Sequence, residues 1–339
     1  MNVAIIDADL IGRKKHRFPN LACMKLSGYH KAMGDQVELL TSLEVLGWDK
    51  VYVSKVFTDT EVPEEVLAAP NVVYGGTGFY YDKAPPLPDE VEHAFPDYHL
   101  YDEWIKDKPE KETAYYRDYS IGFLTRGCFR KCEFCVNKKY DRCSAHSPLE
   151  EFMDTERPKL CFLDDNFFAC PQWEKIIEEV KATGKRFQFK QGLDERLLTD
   201  KKIHSMMEWK YDTDFTFAFD DIKDREIIEC KLKRIRELYP DLKKNLRFFV
   251  FCGFNNTGGG QTSRLSLSDA ESCGSTTLCP TSCDTRRCMR ADGVGCMLTW
   301  RRGAINRVSS GRRHSGRSVR QRAKPPGDTW KNSSRNTLR

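Results

Sequence analysis

The chain has 339 residues, with 55 Lys and Arg against 50 Asp and Glu for a net charge of +5, and 14 cysteines. That length holds two domains, or one large α/β domain with additions. No stretch approaches the roughly 18 apolar residues of a membrane span, and Met1 runs straight into VAIID without the basic and apolar regions of a secretory signal. The cysteines therefore read as thiols and metal ligands rather than disulfides, and a cytoplasmic protein with no membrane partner is expected.

In chain order, MNVAIIDADLIG reads as a buried strand, Val3 to Ile6, running into a polar turn. VYV at 51–53 repeats the pattern, and NVVYGGTGF gives a third strand closed by Gly75, Gly76 and Gly78. Between the first two, LACMKLSGYHKAMGDQV has helical spacing at Leu21, Met24, Leu26 and His30. Strands alternating with helical patterns predict a small parallel α/β layer over residues 1–95. GRKKHRF (12–18) reads as a solvated loop or a phosphate contact. DKAPPLPDEVEHAFPDY is Pro-rich and acidic and leads into a linker at 96–115.

Five strand-like runs come next: YSIGFL, KLCFLD, RFQFKQ, DFTFAFD and LRFFVF, starting at 119, 159, 186, 214 and 246. Three helices separate the later ones. The first is marked by Pro171 at its start and Gly184 as its stop, and the second takes Thr199 as its N-cap. The third places Ile227, Ile228, Leu232, Ile235 and Leu238 on one face. Strands apolar on both faces with intervening helices predict a parallel βα array, open or closed as a barrel, over 116–256.

Residues 258–339 change character: sixteen Lys and Arg against five Asp and Glu, no Phe or Tyr, and nine Leu, Ile and Val among 82. That is about half the ~20% below which chains usually stay unfolded. The segment from 257 onward reads either as a disordered basic tail or as out-of-frame translation. In the second case, Asp and Glu codons beginning GA become Arg and Gly codons ending GA. Cys273, Cys279, Cys283, Cys288 and Cys296 lie in it, without the apolar residues to scaffold a second metal cluster.

Directly after the YSIGFL strand stands Cys128-Phe-Arg-Lys-Cys132-Glu-Phe-Cys135, a C-x₃-C-x₂-C loop. Three thiolates can each take one iron of a [4Fe–4S] cube and leave the fourth iron open. Gly127 lets the backbone turn closely there, and Arg126, Arg130 and Lys131 are expected to favour thiolates. The competing readings are unrelated thiols, or a closed site with Cys143 as fourth ligand.

With Phe134 before the last cysteine and LDDNFFA after the second strand, the loop resembles the radical S-adenosylmethionine (radical SAM) superfamily. The resemblance implies an N-terminal Rossmann-like, cobalamin-binding-like domain followed by a partial (βα)₆ barrel. It implies a [4Fe–4S] cluster on Cys128, Cys132 and Cys135, and S-adenosylmethionine cleaved reductively to a 5′-deoxyadenosyl radical acting on an unknown substrate. Phe134 would lie by the adenine through its backbone. Asp164, Asp165 and Asn166 would meet the ammonium, or else cap the following helix as an Asx-rich turn. Gln191, Asp194, Arg196 and Asp220 would contact ribose and carboxylate, with a barrel-rim ion pair as the alternative for Arg196 and Asp220. An external flavodoxin- or ferredoxin-like electron donor is implied, and nucleic acid is not the expected partner. Cobalamin is left open: Asp7 and Asp9 are present, but the D-x-H-x-x-G histidine is not. YGGTGF could back a corrin or a nucleotide, or be a tight turn. Two alternatives remain. A tRNA methylthiotransferase-like enzyme would need a second cysteine triad, whereas the N-terminal layer has Cys23 alone. A non-enzymatic zinc or nucleic-acid-binding module would use Cys143.

Overall fold

The computed structural model describes residues 1–13, 16, 18–250, 276–278 and 296–300. Met1–Ala304 form one compact unit, and the second, Ile305–Arg339, lies outside the described residues. Among the described residues no helix is long and apolar enough to cross a membrane.

The first sheet is wholly parallel, ordered β2-β1-β3-β4: β1 is Asn2–Asp7, β2 Gln36–Leu40, β3 Lys50–Ser54 and β4 Val72–Gly75. The sequence pattern carries the helix on to Val37. In the structure it spans Leu21–Ala32, Gly34 turns the chain at φ +84°, and Gln36–Leu40 joins the sheet. Asn20 caps the helix, its side chain accepting from the amides of Ala22 and Cys23. Both faces of β1 are covered. Val3 and Ile5 pack with Cys23, Met24 and Leu26, while Ala4 and Ile6 pack with Val51, Val53 and Val66. The Pro-rich stretch and the residues after it are packed too: Val91, Tyr98, Leu100, Tyr101 and Ile105 join that first cluster.

In the second part, β5 (Tyr119–Gly122), β8 (Lys159–Phe162) and β9 (Arg186–Phe189) are parallel and adjacent. Bridges Phe187↔Tyr211 and Leu193↔Phe217 carry the order on to β10 (Phe215–Phe219), which pairs in parallel with β11 (Leu246–Val250). A short hairpin, β6 (Thr125–Arg126) with β7 (Ser144–Ala145), lies between β5 and β8. Helices Trp173–Ala182, Asp200–Glu208 and Arg225–Leu238 lie between successive strands. They bury Ile177, Val180, Ile203, Met206, Ile228 and Ile235 against Phe162, Phe187 and Phe217. Each such side chain contributes about 1.5–3 kcal/mol. Gly184 (φ +68°) ends the first helix, and the Thr199 hydroxyl caps the second. Ile227 departs from the expected apolar face: it is 40% exposed, because the adjacent Ile228 takes the inward direction. On the opposite face of β5 and β8, Ile121 and Cys161 are covered by Phe18, Leu21 and Tyr115.

The far edge of β11 is paired. It pairs antiparallel with β13 (Cys296–Trp300), which pairs antiparallel with β12 (Thr276–Leu278). An antiparallel strand needs no crossover helix, which suits a segment without helical periodicity. The remainder of the tail lies outside the described residues, including Cys273, Cys279, Cys283 and Cys288 and the question of disorder or reading frame.

Candidate metal centre

The cysteine loop leaves β6 and returns on β7, at the carboxyl ends of β5, β8 and β9, where βα barrels carry their chemistry. Gly127 has φ +93°, and a Cβ there would come within 2.3 Å of the Arg142 carbonyl oxygen. The glycine thus serves the loop's closure on its own return. Cys128, Cys132 and Cys135 are free and half-buried. Cys128 Sγ accepts from the Arg130 amide (3.4 Å) and from Asn166 Nδ2 (3.4 Å), and Cys135 Sγ accepts from the Asn137 amide (3.3 Å).

At Cys132 and Cys135 burial outweighs the basic residues expected to favour the thiolates. Burial pushes Cys132 and Cys135 up, with Asp220 adding to the first and Asp165 to the second. Arg130 is engaged by Asp194 (2.5 Å), Lys131 by Asp141 (2.6 Å), and Arg126 lies over the Phe123 ring near Glu92. Among the described residues no three His, Cys, Asp or Glu converge as ligands of a single ion. A cube differs here, because each thiolate takes its own iron and the sulfurs stay apart.

Cys143 is 3% exposed and belongs to the core with Phe152, Leu160 and Phe162. Burial pushes its thiol up to about 12, and its neighbours are Thr125 and Cys170. It is packed as a core residue, so serving as a fourth ligand would require it to leave that packing.

Asp164, Asp165 and Asn166 come to this loop in three different ways. Asp164 accepts from the amides of Leu124 (3.2 Å) and Thr125 (2.7 Å) and from the Thr125 hydroxyl (2.6 Å). Burial pushes it up to about 7 even so. Asp165 accepts from the Gly127 amide (2.7 Å) and from Asn137 Nδ2 (2.5 Å). Both carboxylates anchor the cysteine loop through these bonds. Asn166 is 4% exposed; its Nδ2 donates to Cys128 and to Asp194 (3.0 Å), while its Oδ1 has no partner among the described residues.

Asp194 is the hub of the rim. It accepts from Arg130, from Arg196 Nε (2.7 Å) and from Asn166, so it joins the cysteine loop, the DDNF segment and the turn after β9. Burial would raise its pKa, but the two guanidiniums hold it below the ordinary carboxylate range. Arg196 also reaches Asp224 (2.5 Å), so it forms the rim ion pair, though with Asp194 and Asp224 rather than Asp220. Asp220 lies beside Cys132, and burial lifts it to about 6. Gln191 is exposed at a turn and is not drawn into the cluster. Phe134 is half-buried, and its backbone carbonyl accepts from the Tyr81 hydroxyl (2.7 Å).

Sequence reasoning missed Arg130 as the partner of Asp194, along with Asn137, Tyr81 and the neighbouring Glu195. Asn137 had a local signal, an Asx residue two positions after a cysteine. Glu195 is 2% exposed, and burial lifts it to about 8. Neither of its carboxyl oxygens has a hydrogen-bond partner among the described residues.

At the N-terminal layer the candidate groups are largely engaged, with Asp7 Oδ1 the buried oxygen left without a partner among the described residues. Asp7 accepts from Tyr101 (2.8 Å), and Asp9 accepts from Thr60 (2.5 Å) and the Val56 amide (2.7 Å). Arg13 pairs with Asp59 (2.6 Å) at the surface, and His16 lies buried between Tyr116 and Asp7; Lys14, Lys15 and Arg17 of the basic stretch lie outside the described residues. A Cβ on Gly76 (φ +109°) would come within 2.3 Å of the Lys55 carbonyl oxygen, and one on Gly78 within 2.7 Å of that of Phe57. The GGTG turn is packed on the end of β3.

No family model matches the chain, and no curated protein matches it. Among solved structures it is similar to the one described as the cobalamin-dependent S-adenosylmethionine radical enzyme OxsB with aqua-cobalamin and S-adenosylmethionine bound. The identity is 12% and the TM-score 0.48, over 74% of this chain and 49% of that one, so the chain spans about half its length.

Proposed function

We propose that this chain is a radical S-adenosylmethionine enzyme in which Cys128, Cys132 and Cys135 hold a [4Fe–4S] cluster. The observation that carries this reading is three free, half-buried thiols on one loop at the strands' carboxyl ends, two of them receiving amide N–H donors. Backbone donors of this kind stabilise sulfur-borne negative charge, and such outer contacts tune metal ligands. Bound there, the cluster supplies the electron that cleaves S-adenosylmethionine to a 5′-deoxyadenosyl radical. The chain's own residues bind and orient the nucleotide: Asn166 Oδ1 is an unpaired acceptor for its ammonium, and the Phe134 carbonyl an acceptor for its adenine amine. Asp164, Asp165 and Asp194 keep the loop in register with β8 and β9. The electron comes from a flavodoxin- or ferredoxin-like donor. The corrin reading draws no support from this layer: the GGTG turn is packed on β3 and Asp9 is held by Thr60 and the Val56 amide, while Asp7 Oδ1 has no partner among the described residues.

Anaerobic reconstitution with iron and sulfide, then dithionite and S-adenosylmethionine, should yield 5′-deoxyadenosine. A chain with an intact cluster that gives none is not such an enzyme. The closed-site reading is weakened by the burial of Cys143. Cys143→Ala should keep the brown [4Fe–4S] absorbance, and its loss in that variant would favour a four-thiol site. The methylthiotransferase-like reading lacks its second triad, since Cys23 is fully buried beneath β1.

A further inference from the structure

Tyr81 combines two unusual features. Its backbone lies at φ +51°, ψ −120°, and it is the one non-glycine residue at positive φ among the described residues. Such conformations persist where surrounding structure enforces them, at ligand clamps and switches above all. Its hydroxyl also donates to the carbonyl of Phe134, 53 residues away and between the second and third thiols of the cysteine loop. The GGTG turn explains how the side chain gets there. Gly76 and Gly78 lock the strap against Lys55 and Phe57 behind β3, so the short helix Thr77–Tyr80 starts from a fixed point and delivers Tyr81 to the loop. Tyr81 is 41% exposed, so burial does not hold it in this conformation.

On the radical S-adenosylmethionine reading, the nucleotide would lie against the backbone between Cys132 and Cys135. The Phe134 carbonyl is an acceptor there, complementary to an amine donor and not to a second carbonyl. We infer that the strap 76–83 is a gate: Tyr81 occupies the Phe134 carbonyl in the ligand-free chain and gives it up to the exocyclic amine of an entering adenine nucleotide. This rests on the radical S-adenosylmethionine reading. It adds that the N-terminal layer controls access to the site, so opening the strap is part of binding.

The test uses the full reconstituted chain and S-adenosylhomocysteine, which binds without turnover. Tyr81→Phe keeps the ring and the backbone and removes the donor. One hydrogen bond, worth about 0.5–1.5 kcal/mol net, corresponds to binding tighter by roughly 2- to 10-fold in a titration. S-inosylhomocysteine, with a carbonyl oxygen in place of the amine, should gain nothing. Amide hydrogen exchange across 128–137 should quicken in the variant before any ligand is added. Weaker binding in Tyr81→Phe, or an equal gain for both nucleotides, overturns the gate. If exchange quickens but no form binds either nucleotide, the radical reading falls and takes the gate with it. Nucleotide binding that is indifferent to Tyr81→Phe overturns the gate alone.

Discussion

The Oδ1 atom of Asn166 is buried without a partner, while its Nδ2 serves both Cys128 and Asp194. An unpaired buried amide oxygen costs about 1–3 kcal/mol, and a donor arriving at that point recovers it. On the proposed function, Asn166→Ala should therefore weaken S-adenosylmethionine binding by roughly 10-fold or more. Iron and sulfide content per reconstituted chain should stay that of the parent, because in that proposal Asn166 would not be a ligand of the iron. Loss of the cluster along with affinity would mean that Asn166 acts through Cys128 alone. The three thiols were legible because their spacing is local and rare. The division of labour within DDNF was not. A sequence places acidic residues at a strand's end, but whether backbone amides already fill their oxygens depends on a loop 38 to 40 residues earlier. Arg130 has the same history. It reads as a charge beside thiols, yet its geometry commits it to Asp194, 64 residues away.

At the scale of elements, Glu92 ties the N-terminal helices to the hairpin that carries the cysteine loop. Lys25 donates to it (3.0 Å) from the helix Leu21–Ala32, His146 lies at 3.0 Å beside β7, and Arg126 of β6 lies at 3.7 Å. Burial alone would raise its pKa, but His146, Lys25 and Arg126 outweigh it and hold the carboxyl near 2. A depressed carboxylate contributes stability that is fully present above its unfolded value near 4.5 and is lost as pH falls toward 2. Glu92→Gln should thus cost on the order of 3 kcal/mol at neutral pH. The penalty should shrink between pH 4.5 and 2, as chemical denaturation at a series of pH values would show. Equal penalties at pH 7 and pH 2.5 would refute the linkage. The βα rhythm itself was readable: each of the five apolar runs from 119 onward is a strand in the expected order. β2 was not, because Gln36–Leu40 comes after a helix whose apolar spacing runs on past Gly34, and only the turn at φ +84° separates them. Glu92 was likewise hidden, in a stretch whose prolines suggested a free connector.

For the whole molecule the deciding feature is the edge of the parallel array. Five strands run in chain order from β5 to β11, and then the direction reverses with β13 on the outer side of β11, in register Leu246↔Trp300 through Val250↔Cys296. A (βα)₆ barrel would place a parallel strand on that edge, reached by a crossover helix that the Arg-rich tail has no periodicity to form. An unpaired edge beside Leu246 and Phe248 invites pairing with another chain, so whatever covers it protects the fold. A chain ending at residue 257 lacks β12 and β13 and should suffer in two ways. Its melting temperature should fall by roughly 5–10 °C, as expected for losing a few kcal/mol in a protein of this size. It should also form concentration-dependent aggregates visible by light scattering. The contrasting case is a chain whose downstream DNA is translated in another frame. If that frame encodes an amphipathic helix followed by an apolar strand, a parallel partner replaces β13 and the melting temperature should rise above that of the present chain. If neither other frame encodes such a pair, the antiparallel cover is the molecule's own solution. In that case the 257-residue chain should be the less stable of the two, and a truncated chain that melts at the same temperature without aggregating would show that β13 contributes nothing to the edge.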